Sequence, residues 1–425
     1  MKLNKEQKDM LAGKEGRGVQ KSMEILVGIG EAQEADELVK INYAHLMPPD
    51  VMFMPYGLQG QWAHDMTYEL TQDVKQLKVP CTIEPKFCDM SIAKDLMYSD
   101  DVIKEMTEIQ GNAANFYEKL GVVPTYTAMP FYYYRGWLGE HVSISESIAT
   151  LWFNTMFGSR CERDDGVKSL AAAITGYVPN EGAHLDENRH GEVVIRLSED
   201  LNFKNFNDAD WDAFSLATSR KCKDKRPVFL GVPKDTPITD MKHLLAVIAV
   251  ESGLALMHIV GITPEAPTLK AALMGKKPLN EFVIDKHDID EAYALANTAT
   301  GSDVDFILMG CPHLTLRELK EVAEELEGKK VHKDVKLIVT TQKTMLEQAA
   351  DLGYVQVIRN AGGIIVPDMC IAFAGTQAKG TIATNSIKAV FFYAGFSSDG
   401  SRKVRFGSTR ECVQSAVSGK WEGRK

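Results

Sequence analysis

The sequence contains few cysteines, and no two of them lie close together. Its 425 residues include seven cysteines, an odd number, without a Cys-x-x-Cys pair. A disulfide framework needs an even, regularly spaced set, so we expect reduced thiols or metal ligands instead. A thiol-based redox protein is the weakest functional alternative, because its two cysteines normally have that same local spacing.

The sequence also lacks basic clusters and long uncharged apolar runs. Lys and Arg number 48 against 58 Asp and Glu, for a net charge of -10, and this balance disfavours a nucleic-acid-binding protein. The first sixteen residues alternate in charge and lack the apolar core of a secretory signal. The most apolar stretch, 243–262, is interrupted by Glu251 and Gly253. We therefore predict a cytoplasmic protein that does not enter a membrane.

The hydrophobic content, 44%, is sufficient for two or three domains. From residue 227 onward, predicted strands and helices alternate, which is typical of a doubly wound parallel sheet and places the chain in the α/β class. We predict an N-terminal α/β region with helical layers (1–215), a doubly wound region (216–395) and a C-terminal segment that packs back on the first region (396–425). The first boundary follows from the polar and aromatic stretch 202–226.

Three sequence pairs predict helix starts of the capping-box type, in which a polar side chain and a residue three positions later cap each other. They are Asn4 with Gln7, Ser143 with Glu146, and Thr315 with Glu318. Apolar residues after Ser143 recur at helical spacing, so we predict one helix from there to Gly158.

Cys311 and Cys370 each follow a predicted strand. The apolar run 304–309 predicts a buried strand, and Gly310 frees the backbone at its carboxyl end. Cys370 comes after a second strand-like run, 362–366. The carboxyl ends of parallel strands form one edge of a sheet, where ligands bind, so we expect both thiols at that edge. For Cys311, an inert core cysteine is about as probable from this context alone.

Two further segments concentrate polar residues. The segment 384–388, Thr-Asn-Ser-Ile-Lys, is a plausible anion-binding loop whose Lys388 would pair with a carboxylate or phosphate; a solvated turn is the default alternative. The segment 182–191 contains His184, Arg189 and His190, but its histidine spacing does not match a zinc motif. For this segment we predict a hydrogen-bonded network between domains.

Taken together, these motifs resemble those of the aconitase X family. The matching segments, in chain order, are His-Leu-Asp-Glu-Asn-Arg (184–189), Gly-Ile-Thr-Pro-Glu-Ala (261–266), Gly-Cys-Pro-His (310–313), Asp-Met-Cys (368–370), Thr-Asn-Ser-Ile-Lys (384–388) and Val-Arg-Phe-Gly-Ser-Thr-Arg-Glu-Cys-Val (404–413). The resemblance covers nearly the whole chain. It implies an aconitase-like fold of α/β/α layers with mostly parallel sheets, and a dehydratase acting on a small hydroxy acid, hydroxyproline-like or phosphomevalonate-like.

The resemblance also implies a site. Cys311 and Cys370 match two ligands of an iron-sulfur cluster, whose open iron would act as a Lewis acid. Lys388 and Ser386 match a catalytic loop. The implied substrate-binding residues are His45, Glu84, Pro85, Glu146, Ser147, Asn385 and Lys388. A small swivelling β-rich subunit on a separate chain, which carries a serine base in the family, is the implied partner.

Three departures from the family pattern stand out. Tyr126 occupies the position of the third cluster cysteine. Its phenolate would then have to serve as the third ligand, or Cys161 or Cys88 would have to replace it. Otherwise the chain uses mononuclear iron or is a non-catalytic binding subunit. Glu84 stands where the family has asparagine, and this carboxylate would repel an acid but favour an amine. The stretch after His45 lacks an expected Gly-x-Ser-Tyr-Lys run.

Overall fold

A computed structural model describes residues 1–48, 61–395 and 403–424. The strands in these ranges are β1 (Leu38–Lys40), β2 (Ala44–Leu46), β3 (Cys81–Ile83), β4 (Ser143–Ile144), β5 (Tyr177–Pro179), β6 (Val193–Leu197), β7 (Pro227–Phe229), β8 (His258–Ile259), β9 (Asn280–Ile284), β10 (Phe306–Met309), β11 (Lys336–Thr341), β12 (Ile364–Pro367), β13 (Thr381–Thr384) and β14 (Lys403–Phe406).

Helices surround these strands. They are α1 (Lys5–Leu11), α2 (Arg17–Ala32), α3 (Gln61–Thr71), α4 (Asp100–Lys119), α5 (Ser147–Trp152), α6 (Gly166–Thr175), α7 (Asp208–Cys222), α8 (Ile238–Glu251), α9 (Leu269–Ala272), α10 (Lys286–Ala296), α11 (Leu316–Leu326), α12 (Lys343–Asp351), α13 (Tyr354–Ala361), α14 (Ile371–Ala374), α15 (Ile387–Gly395) and α16 (Thr409–Ser418). None of those in the described ranges is long and apolar enough to cross a membrane.

Three of the sheets are parallel, as the α/β prediction requires. The largest has the strand order β12-β11-β10-β13-β14, the second has the order β8-β7-β6-β9, and a smaller one has the order β3-β2-β4. Strands β1 and β5 form a separate antiparallel pair. The mixed α/β class with mostly parallel sheets is therefore confirmed.

Local predictions had different outcomes. The capping boxes at Asn4 and Thr315 are present, with both reciprocal hydrogen bonds. The one at Ser143 is wrong, because Ser143 and Ile144 form β4 and pair with β2. The Ser143 hydroxyl instead donates to Asp164, 2.6 Å away. Glu146 is the actual N-cap of α5, and a π-helical turn continues the chain to Gly158.

The predicted boundary at residue 215 falls within α7, a largely buried helix. A buried ionic network joins this helix to its neighbours. The Asp212 carboxylate accepts from His243 at 2.8 Å, and the opposite ring nitrogen of His243 lies 3.0 Å from Glu318. Lys242 donates to both oxygens of Glu318, at 2.7 and 2.6 Å. Helices α7, α8 and α11 are thereby held together by alternating charges.

The charge state of His243 follows from this network. Burial disfavours its cation, but attraction to Asp212 and hydrogen bonds to Asp212 and Glu318 outweigh burial and raise the pKa of His243 to about 10. Since the folded-state pKa lies above the unfolded value near 6.5, the stabilisation is complete below about pH 6.5 and is lost as the pH rises toward 10.

We predict that wild type is more stable to urea than His243→Gln at pH 6.5. The difference between their unfolding midpoints should shrink as the pH rises to 10. Urea unfolding of both proteins across this range measures it, and the free-energy gap should close by a few kcal/mol. His287→Gln is the matched control, because His287 is exposed on α10, where its ring lies 3.6 Å from Glu291. A gap for His243→Gln that stays constant with pH would contradict a buried imidazolium.

Candidate active site

A cavity of about 410 Å³ lies where the carboxyl ends of two parallel sheets meet. The three-stranded sheet contributes the residues that follow its strands: Met47 after β2, Glu84 and Pro85 after β3, and 145–147 after β4. The five-stranded sheet contributes 310–313 after β10, Cys370 after β12 and Lys388 after β13. The two predicted cysteine loops therefore reach one cavity, although their roles there stay a prediction.

The strand order explains why the cavity forms at this point. In the five-stranded sheet, β11 and β12 lie on one side of β10, whereas β13 and β14 lie on the other. The connections after β10 and β13 therefore diverge and leave a crevice between them, which is the usual ligand position in open α/β sheets. Cys311 follows β10, and Lys388 follows β13.

Gly310 allows the close approach behind Cys311. Its φ is 118°, and a Cβ there would lie 2.2 Å from the Thr340 hydroxyl and 2.4 Å from the Thr340 carbonyl oxygen. Any other residue would collide with β11, so only glycine lets the chain turn here. Burial raises the pKa of the Cys311 thiol, and it raises the pKa of Cys370 to about 11. Burial therefore favours the protonated thiols, and metal binding would have to displace their protons.

Lys388 bridges the cavity to the opposite sheet. Its Nζ lies 2.5 Å from Glu146 Oε1 and 3.2 Å from the Ser147 hydroxyl, and both charged side chains are about 6% exposed. Burial disfavours the ammonium, but attraction to Glu146, and more weakly to Cys311 and Glu84, outweighs burial and raises the pKa of Lys388. Glu146 also caps α5 by accepting from Ala149 N at 2.7 Å. The ion pair thus joins α15 of one sheet to α5 of the other.

Ser386 and Asn385 support the loop from behind the cavity wall. The Ser386 hydroxyl donates to the Cys311 carbonyl oxygen, which ties the β13 loop to the β10 loop. The Asn385 amide donates to Thr409 at 2.9 Å, and its buried Oδ1 has no hydrogen-bond partner in the described part of the chain. Neither residue lines the cavity. Of the predicted loop, only Lys388 does so.

Glu84 and His45 form a second pair on the other wall. Glu84 lines the cavity, whereas His45 is fully buried behind it on β2. His45 Nε2 lies 2.6 Å from Glu84 Oε1, and His45 Nδ1 lies 2.8 Å from the Thr82 hydroxyl. Burial lowers the pKa of His45 to about 3, so its ring is neutral. Burial and the nearby Glu146 charge raise the pKa of Glu84 well above its usual value, against the opposing effect of Lys388.

Several lining residues were missed at the sequence level. Arg163 reaches the cavity while donating to the Ala249 carbonyl oxygen at 3.1 Å. Three phenylalanines, Phe373, Phe391 and Phe392, form an apolar part of the wall. The stretch after His45, where the family would have its Gly-x-Ser-Tyr-Lys run, falls largely outside the described residues.

The described residues do not fit a cluster held by three cysteines. Such a cluster needs three thiolates converging on one centre. Tyr126 does not line this cavity: Lys86 Nζ lies over its ring, 4.5 Å from the centroid. Burial, with the nearby charges of Glu118 and Asp368, raises the pKa of the Tyr126 phenol to about 12.

No other cysteine replaces it there. Cys161 is buried beside Asn154, whose amide nitrogen lies 3.2 Å from its sulfur, and the Cys88 sulfur lies near the Asp89 carbonyl oxygen. Neither belongs to the cavity wall. Among the residues that the structure describes, no three His, Cys, Asp or Glu side chains are grouped as metal ligands.

The histidine-rich segment joins another of the sequence motifs. Arg189 is 2% exposed and binds Glu265 through two parallel hydrogen bonds, at 2.8 and 2.6 Å. It also donates to Asn154 Oδ1 at 2.8 Å and to the Ser159 carbonyl oxygen at 3.0 Å. The predicted polar network is therefore present, and the segments 184–189 and 261–266 serve to join parts of the fold.

A mixed α/β protein with a largely apolar cavity that carries a few polar groups at the switch point of a parallel sheet belongs to a common class of enzyme. Comparison of this chain with known proteins identifies its family. The chain matches the family models for the first, second and third domains of aconitase X, over residues 1–187, 191–294 and 304–418. The chain belongs to the aconitase X family.

Curated relatives agree. The phosphomevalonate dehydratase large subunits of Thermococcus kodakarensis and Methanocaldococcus jannaschii are 32% and 31% identical, over 93% and 97% of this chain and 96% and 100% of theirs. A cis-3-hydroxy-L-proline dehydratase of Pseudomonas aeruginosa is 26% identical over 97% of this chain and 69% of its own length. The solved holo-form of Thermococcus kodakaraensis aconitase X superposes with a TM-score of 0.83 at 28% identity, covering 98% of this chain and all of that one. The chain is thus an enzyme of the hydro-lyase class.

We predict that Tyr126→Phe leaves iron content and activity within about twofold of wild type. Its phenol oxygen lies outside the cavity, and the ring contact with Lys86 survives the change. The stability change should stay below about 1 kcal/mol. Metal analysis of the anaerobically isolated variant measures the first quantity, and a thermal melt measures the second. Loss of iron in Tyr126→Phe would contradict this prediction and would indicate that the Tyr126 phenol oxygen binds the metal.

Proposed function

We propose that this chain is the large subunit of a dehydratase that removes water from a small hydroxy acid in the cavity between the two sheets. The observation that supports this most strongly is the convergence, in one buried cavity, of two thiols with a bridging Lys388–Glu146 pair. A dehydratase needs a cation for the acid group, polar groups for the departing hydroxyl, and protection from bulk water.

The chain's own residues supply the binding functions. Arg163 and Lys388 are the cations in the described part of the wall, and they would hold the carboxylate of the substrate. A bound carboxylate would share Lys388 with Glu146, so the ammonium would stay charged and oriented by its existing partner. Phe373, Phe391 and Phe392 would exclude water from the rest of the cavity.

The names of the relatives indicate a partner subunit. The chain spans nearly the full length of relatives named large subunits, and a name of that kind implies a second subunit. We propose a small, β-rich, swivelling subunit on a separate chain. Isolation of the complex through a tag on this chain identifies it.

The metal proposal is limited to what the cavity contains. Cys311 and Cys370 would hold a single metal ion, iron in the first instance, rather than the three-thiolate cluster that the described residues do not fit. Such an ion supplies Lewis acidity toward the departing hydroxyl when it is bound. A non-catalytic binding subunit is the second candidate function, and it is favoured by the position of Tyr126 outside the cavity.

The substrate is restricted by charge. Lys388 is already paired with Glu146, and Glu84 adds another carboxyl group to the wall, so Arg163 is the remaining described cation. A phosphate ester adds two negative charges, which the described part of the wall does not match, whereas an amine would meet carboxylates there. We therefore propose a small hydroxy acid that bears an amine.

Removal of either cavity thiol tests the function. We predict that Cys311→Ala and Cys370→Ala lose bound iron and lose dehydratase activity by at least about a hundredfold, because a Lewis acid is worth several kcal/mol to the leaving group. Anaerobic iron and sulfide analysis, with turnover of cis-3-hydroxy-L-proline and phosphomevalonate, measures both effects in the isolated complex.

Cys222→Ala is the matched control, since it removes a buried thiol from the end of α7, away from the cavity. It should retain iron and activity. If the wild-type complex binds these compounds but transforms neither, the non-catalytic alternative gains support. Acid-labile sulfide in amounts matching a full cluster would refute the single-ion proposal.

The charge argument gives a separate prediction. The kcat/KM for cis-3-hydroxy-L-proline should exceed that for phosphomevalonate by at least about tenfold, since each unmatched charge costs about a kcal/mol or more. Steady-state kinetics of the same preparation on both compounds measures the ratio. A preference for the phosphorylated compound would refute the argument.

A further inference from the structure

Glu84 is a cavity carboxyl group that, within the described ranges, has no lysine or arginine at ion-pair distance. Lys388 is hydrogen-bonded to Glu146 and Ser147, and no described side chain donates to Glu84 Oε2. The contact to Glu84 that the structure describes is the one between Oε1 and His45 Nε2, at 2.6 Å. One carboxyl oxygen is therefore held from behind while the other remains available on the side of the cavity.

A chain of hydrogen bonds extends from this contact into the core. His45 Nδ1 lies 2.8 Å from the Thr82 hydroxyl, and that hydroxyl is hydrogen-bonded to the hydroxyl of Tyr43. His45 and Thr82 lie opposite each other on neighbouring parallel strands, β2 and β3. Tyr43 is fixed in turn by stacking on Tyr134, with ring centroids 4.1 Å apart. All three supporting side chains are buried, so the chain does not exchange with bulk water along its length.

This chain can satisfy Glu84 in both of its protonation states. With Glu84 ionised, Tyr43 donates to Thr82, Thr82 donates to His45 Nδ1, and His45 Nε2–H donates to Glu84. With Glu84 protonated on Oε2, on the side of the cavity, the same donors stay in place, because Oε1 of the neutral carboxyl group still accepts from His45 Nε2–H. No heavy atom has to move between the two arrangements. A group that must accept and release a proton within one turnover needs such a support.

We propose that Glu84 is the proton acceptor of the dehydration, and that His45 and Thr82 are its positioning residues. This inference rests on the proposed function of the same cavity, and it gives Glu84 the role that the family resemblance assigns to a serine of the small partner subunit. Glu84 takes the proton from the carbon next to the carboxylate of the substrate, and the electron pair of that C–H bond becomes the second bond of the C=C product. The hydroxyl leaves with its bonding pair and takes up the proton that Glu84 accepted. One water leaves, and the enzyme returns to its initial state.

The test is Glu84→Gln in the anaerobically isolated complex. Glutamine keeps the shape and a hydrogen bond to His45 but cannot take the proton. We expect kcat for cis-3-hydroxy-L-proline to fall by about 10²- to 10⁴-fold with KM changed by less than about tenfold, the usual consequence of losing a general base. Glu84→Asp should restore part of the rate, and a substrate deuterated at the reacting carbon should show a larger isotope effect in Glu84→Gln than in wild type.

His45→Gln separates positioning from folding. It should lower kcat less than Glu84→Gln and change the pH dependence of kcat, because the tautomeric support is lost while the carboxylate remains. Glu181→Gln is the control: Glu181 is a buried carboxylate 2.6 Å from Lys168 and outside the cavity, so it should lower the melting temperature without lowering kcat more than about threefold.

The outcomes are distinguishable. Wild-type turnover with an unimpaired kcat in Glu84→Gln would overturn the assignment of the base and leave the dehydratase intact. Wild-type complex that transforms neither cis-3-hydroxy-L-proline nor phosphomevalonate would overturn the dehydratase and the base together. If Glu84→Gln does not fold, Glu84→Asp decides: a rate equal to wild type with no change in isotope effect counts against Glu84.

Discussion

The buried pair of Lys388 and Glu146 is the contact that makes one cavity out of two sheets. Each side chain comes from the carboxyl end of a different parallel sheet, and each is almost completely withdrawn from water. Removing one partner of such a pair strands the other charge, at a cost of about 3 to 5 kcal/mol. The distance across the cavity is therefore set by electrostatics as well as by packing.

A second set of charges fixes the loops that carry these groups. Asp212 accepts from the backbone N–H of Ile387 at 2.6 Å, directly beside Lys388, while Lys242 lies 3.4 Å from the His313 carbonyl oxygen on the loop of Cys311. Because His243 connects Asp212 to Glu318, the loops after β10 and β13 are both tied to the same ionic network. The two sides of the crevice thus cannot move apart without separating buried charges.

Sequence reasoning located the features that are set locally. A buried strand, a glycine and a capping box determine where Cys311 leaves the sheet, and all of them lie within fifteen residues. It failed at Ser143, because pairing of Ile144 with β2 outweighs a good capping sequence. It also missed the place of Arg163 in the cavity wall and the link between His45 and Glu84, which lie 39 residues apart and meet only because β2 and β3 are neighbours. Contacts of this kind carry no periodic signal.

The two departures from the family pattern, at positions 84 and 126, have a common physical logic. Elimination of water can be assisted by stabilising the departing hydroxyl or by removing the proton from the neighbouring carbon. If the two thiols on the described wall hold a single ion, as proposed, less positive charge would assist the departing hydroxyl, and more of the barrier would have to be lowered at the carbon. Glu84 adds a carboxyl group on that wall, with a neutral histidine behind it that fits either proton arrangement. Under the proposed mechanism, the tyrosine at 126 and the carboxyl group at 84 are two halves of one change in how the substrate is activated.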